Sequence, residues 1–217
     1  MSIEIRQYKD GFMYHYWEKD GKGHRDGDLP ATIAYSKKNV VLEEWWYEGE
    51  CHRDGDRPAA IQYIDKRVIL REWYQNGDCH RDGDLPAQIK YNKKGQVTKE
   101  QWLQHGKIHR DGDLPAIIEY DEKGDVKKEQ WYQQGQLHRG QDPSGDGDLP
   151  AIIEYIKYRK CSAIIKYWYQ HGKLHRQSPD QNEDLPAIVE QLENGSISHQ
   201  AWYRDGEKLN ERWYRTT

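Results

Sequence analysis

Apolar side chains are scarce in this chain of 217 residues: the hydrophobic fraction is 35% and the mean hydropathy is -1.19, too low for a conventional aliphatic core. No segment approaches the roughly 20 apolar residues of a membrane-spanning helix. The N-terminal stretch "MSIEIRQYKDGFMYHYW" lacks the continuous apolar run of a signal peptide, so none is expected. Three cysteines, an odd number, argue against a disulfide framework and predict free thiols in a reducing, intracellular, cytoplasmic setting. There is no basic run and no basic half, and the net charge is -4, so neither nucleic acid nor an anionic membrane is an expected partner. P-loop, dinucleotide-binding, HExxH and GxSxG motifs are all missing, which removes the commonest sequence grounds for an enzyme.

Aromatic residues take the place of aliphatic ones. Nine Trp and sixteen Tyr stand against one Phe and two Met. Disordered chains are poor in aromatics, so this composition predicts a folded protein with a thin aromatic core. The aromatics are also periodic. Trp17, Trp45, Trp73, Trp102, Trp131, Trp168 and Trp202 each precede a glycine by four residues: Gly21, Gly49, Gly77, Gly106, Gly135, Gly172 and Gly206. Three residues on comes His24, His52, His80, His109, His138 or His175; the seventh copy has Leu209 there. Successive histidines are 28, 28, 29, 29 and 37 residues apart.

Each histidine opens a polar loop, "HRDGDLPA" in its regular form. The loop ends in an aspartate (Asp28, Asp56, Asp84, Asp113, Asp148, Asp184) two residues before a proline (Pro30, Pro58, Pro86, Pro115, Pro150, Pro186). The fifth and sixth copies are stretched, to "HRGQDPSGDGDLPA" and "HRQSPDQNEDLPA". After the proline the pattern alternates: Ala116, Ile118 and Tyr120 point one way, with Ile117 and Glu119 opposite. That is a half-buried strand of period two. A turn follows ("DEKGD"), then a second strand ("VKKEQWYQ"), a tight turn such as "QNGD", and a short third strand. In that hairpin Trp73 is expected opposite His80, and Glu72 opposite Arg81. One buried Trp per 28 residues cannot offset the entropy of ordering them, so neighbouring repeats must stabilise one another. We therefore expect one all-β repeat domain over residues 1–217, an elongated array of antiparallel hairpins in a twisted open sheet. Residues 1–16 form a capping hairpin, 17–203 about six repeats of 28–37 residues, and 204–217 closing strands.

At Tyr132-x-x-Gly135-x-x-His138 and Gly124-x-Val126-x-x-Glu129-x-Trp131 the chain resembles the MORN repeat. The resemblance covers nearly the whole sequence and implies β-hairpins stacked into an elongated, single-layered sheet. It departs from the family in a longer repeat, with the extra residues in the loop after His, where "RDGDLP" replaces the usual Gly-x-Gly. In this the chain is similar to divergent MORN-like repeats of large DNA viruses that infect amoebae, which implies a host-cytoplasmic or virion protein. The family's functions are scaffolding, oligomerisation and protein–protein contact, with lipid binding proposed for some members. No catalytic residues come with the repeat.

A His, an Arg and two Asp around a Gly are also the side chains of acid–base and metal chemistry. A catalytic centre is needed once, however, and a constellation present in every copy is better explained by what every copy needs. Gly27 supplies a positive φ, Asp26 and Asp28 bond nearby backbone N–H groups, and Arg25 pairs with an aspartate or stacks on an aromatic ring. The expected role is thus a non-catalytic scaffold or protein–protein interaction module, with a protein partner or self-association and with no catalytic, cofactor or metal residues. Two alternatives stand beside it. One is a binding module for anions, lipid headgroups or glycans that uses the repeated Arg and aromatics. The other is a metal-dependent hydrolase built on one His–Asp loop; against it, the loops lack the alternating ligands of a calcium site.

Overall fold

The computed structural model describes residues 3–140, 148–158, 161–176 and 183–215. Among these there is no helix; the chain is all-β. It divides into two compact units, residues 1–107 and 108–217. The first contains the strands β1 (Ile3–Lys9), β2 (Phe12–Lys19), β3 (Thr32–Ser36), β4 (Asn39–Glu44), β5 (Ala60–Ile64), β6 (Arg67–Glu72), β7 (Gln88–Tyr91) and β8 (Val97–Gln101). The second contains β9 (Ile117–Tyr120), β10 (Val126–Gln130), β11 (Ile152–Lys157), β12 (Ser162–Tyr167), β13 (Pro186–Leu192), β14 (Ile197–Arg204) and β15 (Glu207–Trp213). In each unit every strand pairs antiparallel with its neighbours in this chain order, and the sheet does not close on itself. The expected open sheet of hairpins is what forms.

The hairpin of each regular repeat carries a bulge next to its tyrosine. Ala34 pairs with Leu42 but Tyr35 with Val40, leaving Val41 over; the same shift occurs at Tyr63, Tyr91 and Tyr120. A bulge raises the local right-handed twist of the ladder. The register sets Trp17, His15 and Met13 on the same side as Ala31, Ile33 and Tyr35. The opposite side, which the alternation left as the more polar one, is also covered at this end of the strands. Thr32, Ala60, Ile117 and Ile152 are buried, whereas Ile33, Ile61, Ile118 and Ile153 are only half-buried. In the first repeat a short hairpin after the Trp, Trp46–Tyr47 with Glu50–Cys51, reaches this side: Trp46 donates Nε1–H to Glu44, the strand partner of Thr32, at 3.2 Å. Period-two alternation within one strand could not show this contact.

The route from Trp to Ala, through the short hairpin and the polar loop, is a closed excursion. Trp45 N–H donates to Ala59 O at 2.8 Å, Trp73 to Ala87 at 2.8 Å, Trp131 to Ala151 at 2.8 Å and Trp168 to Ala187 at 2.9 Å. Both stretched loops fall inside such a closure, where added length costs little. The short hairpins are stacked by one further bond each. Gly77 N–H donates to Cys51 O, and Gly172 N–H to Leu137 O, each at 3.0 Å. At Asn76–Gly77 both φ angles are positive, 49° and 82°, the two-residue turn that the "NG" pair predicts. Cys51 and Cys79 are buried, unpaired thiols whose Sγ atoms lie 3.8 and 3.9 Å from Ala59 O and Ala87 O. Burial pushes both thiols up to about 12, so they are poor nucleophiles.

Candidate functional site

In the polar loops titratable side chains recur in register, and their geometry shows what they do. His80 N–H donates to Trp73 O at 3.0 Å, the expected cross-hairpin pairing; His52 and Trp45 do the same at 3.0 Å. Glu72 does not meet Arg81. It accepts from Gln88 Nε2 at 2.6 Å, and Arg81 turns elsewhere.

Five of the loop arginines lie over the tryptophan ring of their own repeat. The guanidinium carbon is 3.7 Å from the ring centroid for Arg25 on Trp17 and Arg53 on Trp45, 4.0 Å for Arg81 on Trp73, 3.9 Å for Arg139 on Trp131 and 3.8 Å for Arg176 on Trp168. Its Nη1 donates to the carbonyl of the loop's own proline: Arg25 to Pro30 at 3.0 Å, Arg53 to Pro58 at 3.1 Å, Arg110 to Pro115 at 3.2 Å. The remaining edge of the fork reaches back one repeat. Arg53 Nε and Nη2 donate to the Asp28 carboxylate at 2.7 and 2.9 Å, Arg81 to Asp56 at 2.6 and 2.9 Å, and Arg139 to Asp113 at 2.8 and 2.8 Å. Bidentate pairing fixes orientation as well as distance. The hydrogen bonds from Arg53 and Arg81 hold the Asp28 and Asp56 carboxyls below the usual carboxylate range. Four of the loop aspartates also use their backbone, while Trp45 Nε1, one repeat after Asp28, is buried with no partner among the described residues. Trp73 Nε1–H donates to Asp56 O at 3.3 Å, Trp102 to Asp84 O and Trp131 to Asp113 O at 3.1 Å, and Trp168 to Asp148 O at 2.7 Å.

The histidines bind in two directions. Nε2 meets the first loop aspartate, His24 with Asp26 at 3.2 Å and His52, His80 and His109 with Asp54, Asp82 and Asp111 at 3.0 Å. Nδ1 accepts the backbone N–H of the next repeat's turn: Asn76 to His52 at 3.1 Å, and Asp205 to His175 at 3.2 Å. This second bond assigns the neutral tautomer with Nε2–H facing the aspartate. The His52 ring, held at both nitrogens, has no lone pair left for a metal or for base catalysis, whereas Nδ1 of His80, His109 and His138 is buried without a hydrogen-bond partner among the described residues. His80 instead stacks on His105, centroids 4.8 Å apart, and His138 on His171 at 5.1 Å. Among the described residues no three His, Cys, Asp or Glu side chains form a metal-binding group, and no helix is long and apolar enough to cross a membrane.

In the stretched fifth copy Arg139 keeps the whole scheme, with Trp131, Pro150 O and Asp113, whereas the sixth keeps part of it; the inserted residues 141–147 and 177–182 lie outside the described ones. Arg176 keeps its Trp168 stack and Pro186 carbonyl, but its buried Nε has no partner among the described residues. Asp148, where that partner is expected, accepts from Gln170 Nε2 at 2.7 Å. Asp184 is served by Arg204 at 2.6 and 3.1 Å, from the position two residues after Trp202. Sequence reading named the aspartates, histidines and prolines but not the reach of each Arg into the preceding repeat; the constant Arg after each His was the available signal. It also passed over a cleft of about 780 Å³ on the first unit. Arg67, Arg71, Lys93 and Lys94 converge there around Tyr91, Val68 and Gly95, with Arg71 5.4 Å above the Tyr91 ring. No protein-family model matches the chain, and no curated protein matches it.

Proposed function

We propose that the chain is a non-catalytic scaffold or protein–protein interaction module built from MORN-like repeats. The observation that carries this is the destination of the signature side chains. Arg53 is held by Trp45, Pro58 and Asp28, and His52 by Asp54 and the Asn76 N–H. These are bonds within and between repeats; Nδ1 of His80, His109 and His138 is left without a hydrogen-bond partner, but it is buried, and no three His, Cys, Asp or Glu side chains gather into a ligand set among the described residues. A panel of phosphoesters and glycosides should therefore show no turnover above buffer. Hydrolysis abolished by a single change such as His52→Ala, with the fold intact by circular dichroism, would refute the scaffold reading.

A second reading, a small-anion module, rests on the Arg67–Arg71–Lys93–Lys94 cleft. Arginine forks suit phosphate-like oxyanions, and the volume is that of a small-ligand site. Calorimetry with pyrophosphate should then give saturable heat that Arg71→Ala weakens about tenfold, roughly 1.4 kcal/mol. No heat at millimolar pyrophosphate would remove this reading and leave the first untouched.

A further inference from the structure

The first strand, β1, is a sheet margin: among the described residues it pairs only with β2. Its connection to β2 is the two-residue turn Asp10–Gly11, with φ of 52° and 83°. In such a hairpin the closing pair, Lys9 and Phe12, exchanges both hydrogen bonds, and bonded pairs then alternate along the ladder. Gln7 and Ile5 are thus bonded to β2, while the N–H and C=O groups of Glu4, Arg6 and Tyr8 point away from it. The far side of β2 agrees. Trp17, the partner of Glu4, gives its N–H to Ala31 instead, at 2.9 Å.

Sheet margins are normally blunted by proline, a bulge or interlocked charges. The strand β15, at the margin of the second unit, has such protection: its register with β14 shifts at Trp202/Tyr203, and Lys208 and His199 both engage Glu211. The strand β1 also carries interlocked charge, with Arg6 and His15 both on Glu4, but it has no proline and an unbroken register. Ile5 is 43% exposed and Tyr8 69%.

We propose that β1 pairs antiparallel with β1 of a second copy about a two-fold axis at Ile5. Symmetry makes the choice of register short. A two-fold axis normal to the sheet must pass through a residue, and the outward-facing residues must meet one another. An axis at Glu4 sets carboxylate against carboxylate, and one at Arg6 sets guanidinium against guanidinium. An axis at Gln7 sets Arg6 opposite Tyr8 and leaves Glu4 beyond the paired segment. The axis at Ile5 places Glu4 opposite Arg6 of the second copy and Arg6 opposite its Glu4. It also brings the two Ile5 side chains together in the closer, non-hydrogen-bonded type of pair. Within one copy Arg6 Nε already bonds Glu4 Oε1 at 3.1 Å, so the four charges form an alternating cluster. This inference does not rest on the scaffold reading, since it requires no other protein.

The experiment is sedimentation of the full chain with four charge states of β1. Wild type should show a reversible dimer. Glu4→Arg alone and Arg6→Glu alone each set like charges across the axis and should weaken dimerisation at least about tenfold. The combined Glu4→Arg, Arg6→Glu variant restores opposite charges and should return to within about threefold of wild type. In a Cys161→Ser background, to remove the exposed thiol, Ile5→Cys should oxidise to a disulfide-linked dimer, because paired Cα atoms about 4.5 Å apart are within disulfide range. Gln7→Cys should not, since its mate would lie about 14 Å along the strand. A chain monomeric at every concentration, single variants as associated as wild type, a double variant that is not restored, or equal cross-linking at positions 5 and 7 would each overturn the proposal.

Discussion

Arg53 and Arg176 begin from the same local arrangement, a guanidinium laid on a tryptophan and anchored to a proline carbonyl. They end differently. Arg53, which follows a regular loop, completes its fork on Asp28 of the preceding repeat; Arg176, which follows a stretched loop, leaves Nε without a partner among the described residues. The two loops separate what a repeat needs for its own shape from what it needs to register with its neighbour. The Trp–Arg–Pro stack survives a change of loop length because all three groups lie near the ends of the closed excursion. The back-reaching pair depends on where the loop places its aspartate and on which side chains compete for it.

The sharpest test of this separation removes the common part. Trp73→Ala and Trp168→Ala should each cost about 3–5 kcal/mol in chemical denaturation, with similar values for the two. A large difference would mean that the stack is not shared. Next comes the arginine. Arg53→Ala should cost about 2–3 kcal/mol, as the sum of a stacked cation, a carbonyl bond and an ion pair partly screened by solvent. Arg176→Ala should cost about 1 kcal/mol less, for want of the ion pair. A double-mutant cycle should find coupling of about 0.5–1 kcal/mol between Arg53 and Asp28, declining with salt, and less between Arg176 and Asp148, which attract without a hydrogen bond.

Acid titration extends the comparison. The Asp28 carboxyl is lowered below its ordinary 3.8, so its contribution is present above that value and is lost as pH falls through the lowered one. Asp28→Asn should therefore flatten the acid limb of stability. Glu72 has the opposite sign, because burial holds its carboxyl above its ordinary 4.5. Its favourable state is the protonated one, fully present below that value and lost as pH rises through the raised one. Glu72→Gln, the smallest effect expected, should be more stable than the parent near pH 8 and indistinguishable from it below about pH 4. Equal curves at both ends would show that Glu72 is well solvated.

Much of this was legible in the residues. The recurrence of Trp, Gly and His at 28–29 residues set the hairpins, and the two-residue turn at Asn76–Gly77 set Trp73 opposite His80. Two things were not. The Arg53–Asp28 bond spans 25 residues, a separation set by the stacking of one repeat on the next and by no local rule. The cleft lined by Arg67, Arg71, Lys93 and Lys94 joins cations from adjacent hairpins, and a search for basic runs passes over it because no run exists.

The bond from each short-hairpin glycine to the repeat before it has an evolutionary corollary. Every such N–H is directed at an equivalent carbonyl, Gly49 to Gly23, Gly77 to Cys51 and Gly106 to Cys79. Excision of residues 45–72 would bring Gly77 to the carbonyl that Gly49 had used and Asn76 to the His24 ring, with no donor stranded. Gene duplication or loss in whole units of this length is then nearly silent to the backbone, whereas a deletion that removes part of a short hairpin strands the groups that its glycine N–H would have joined.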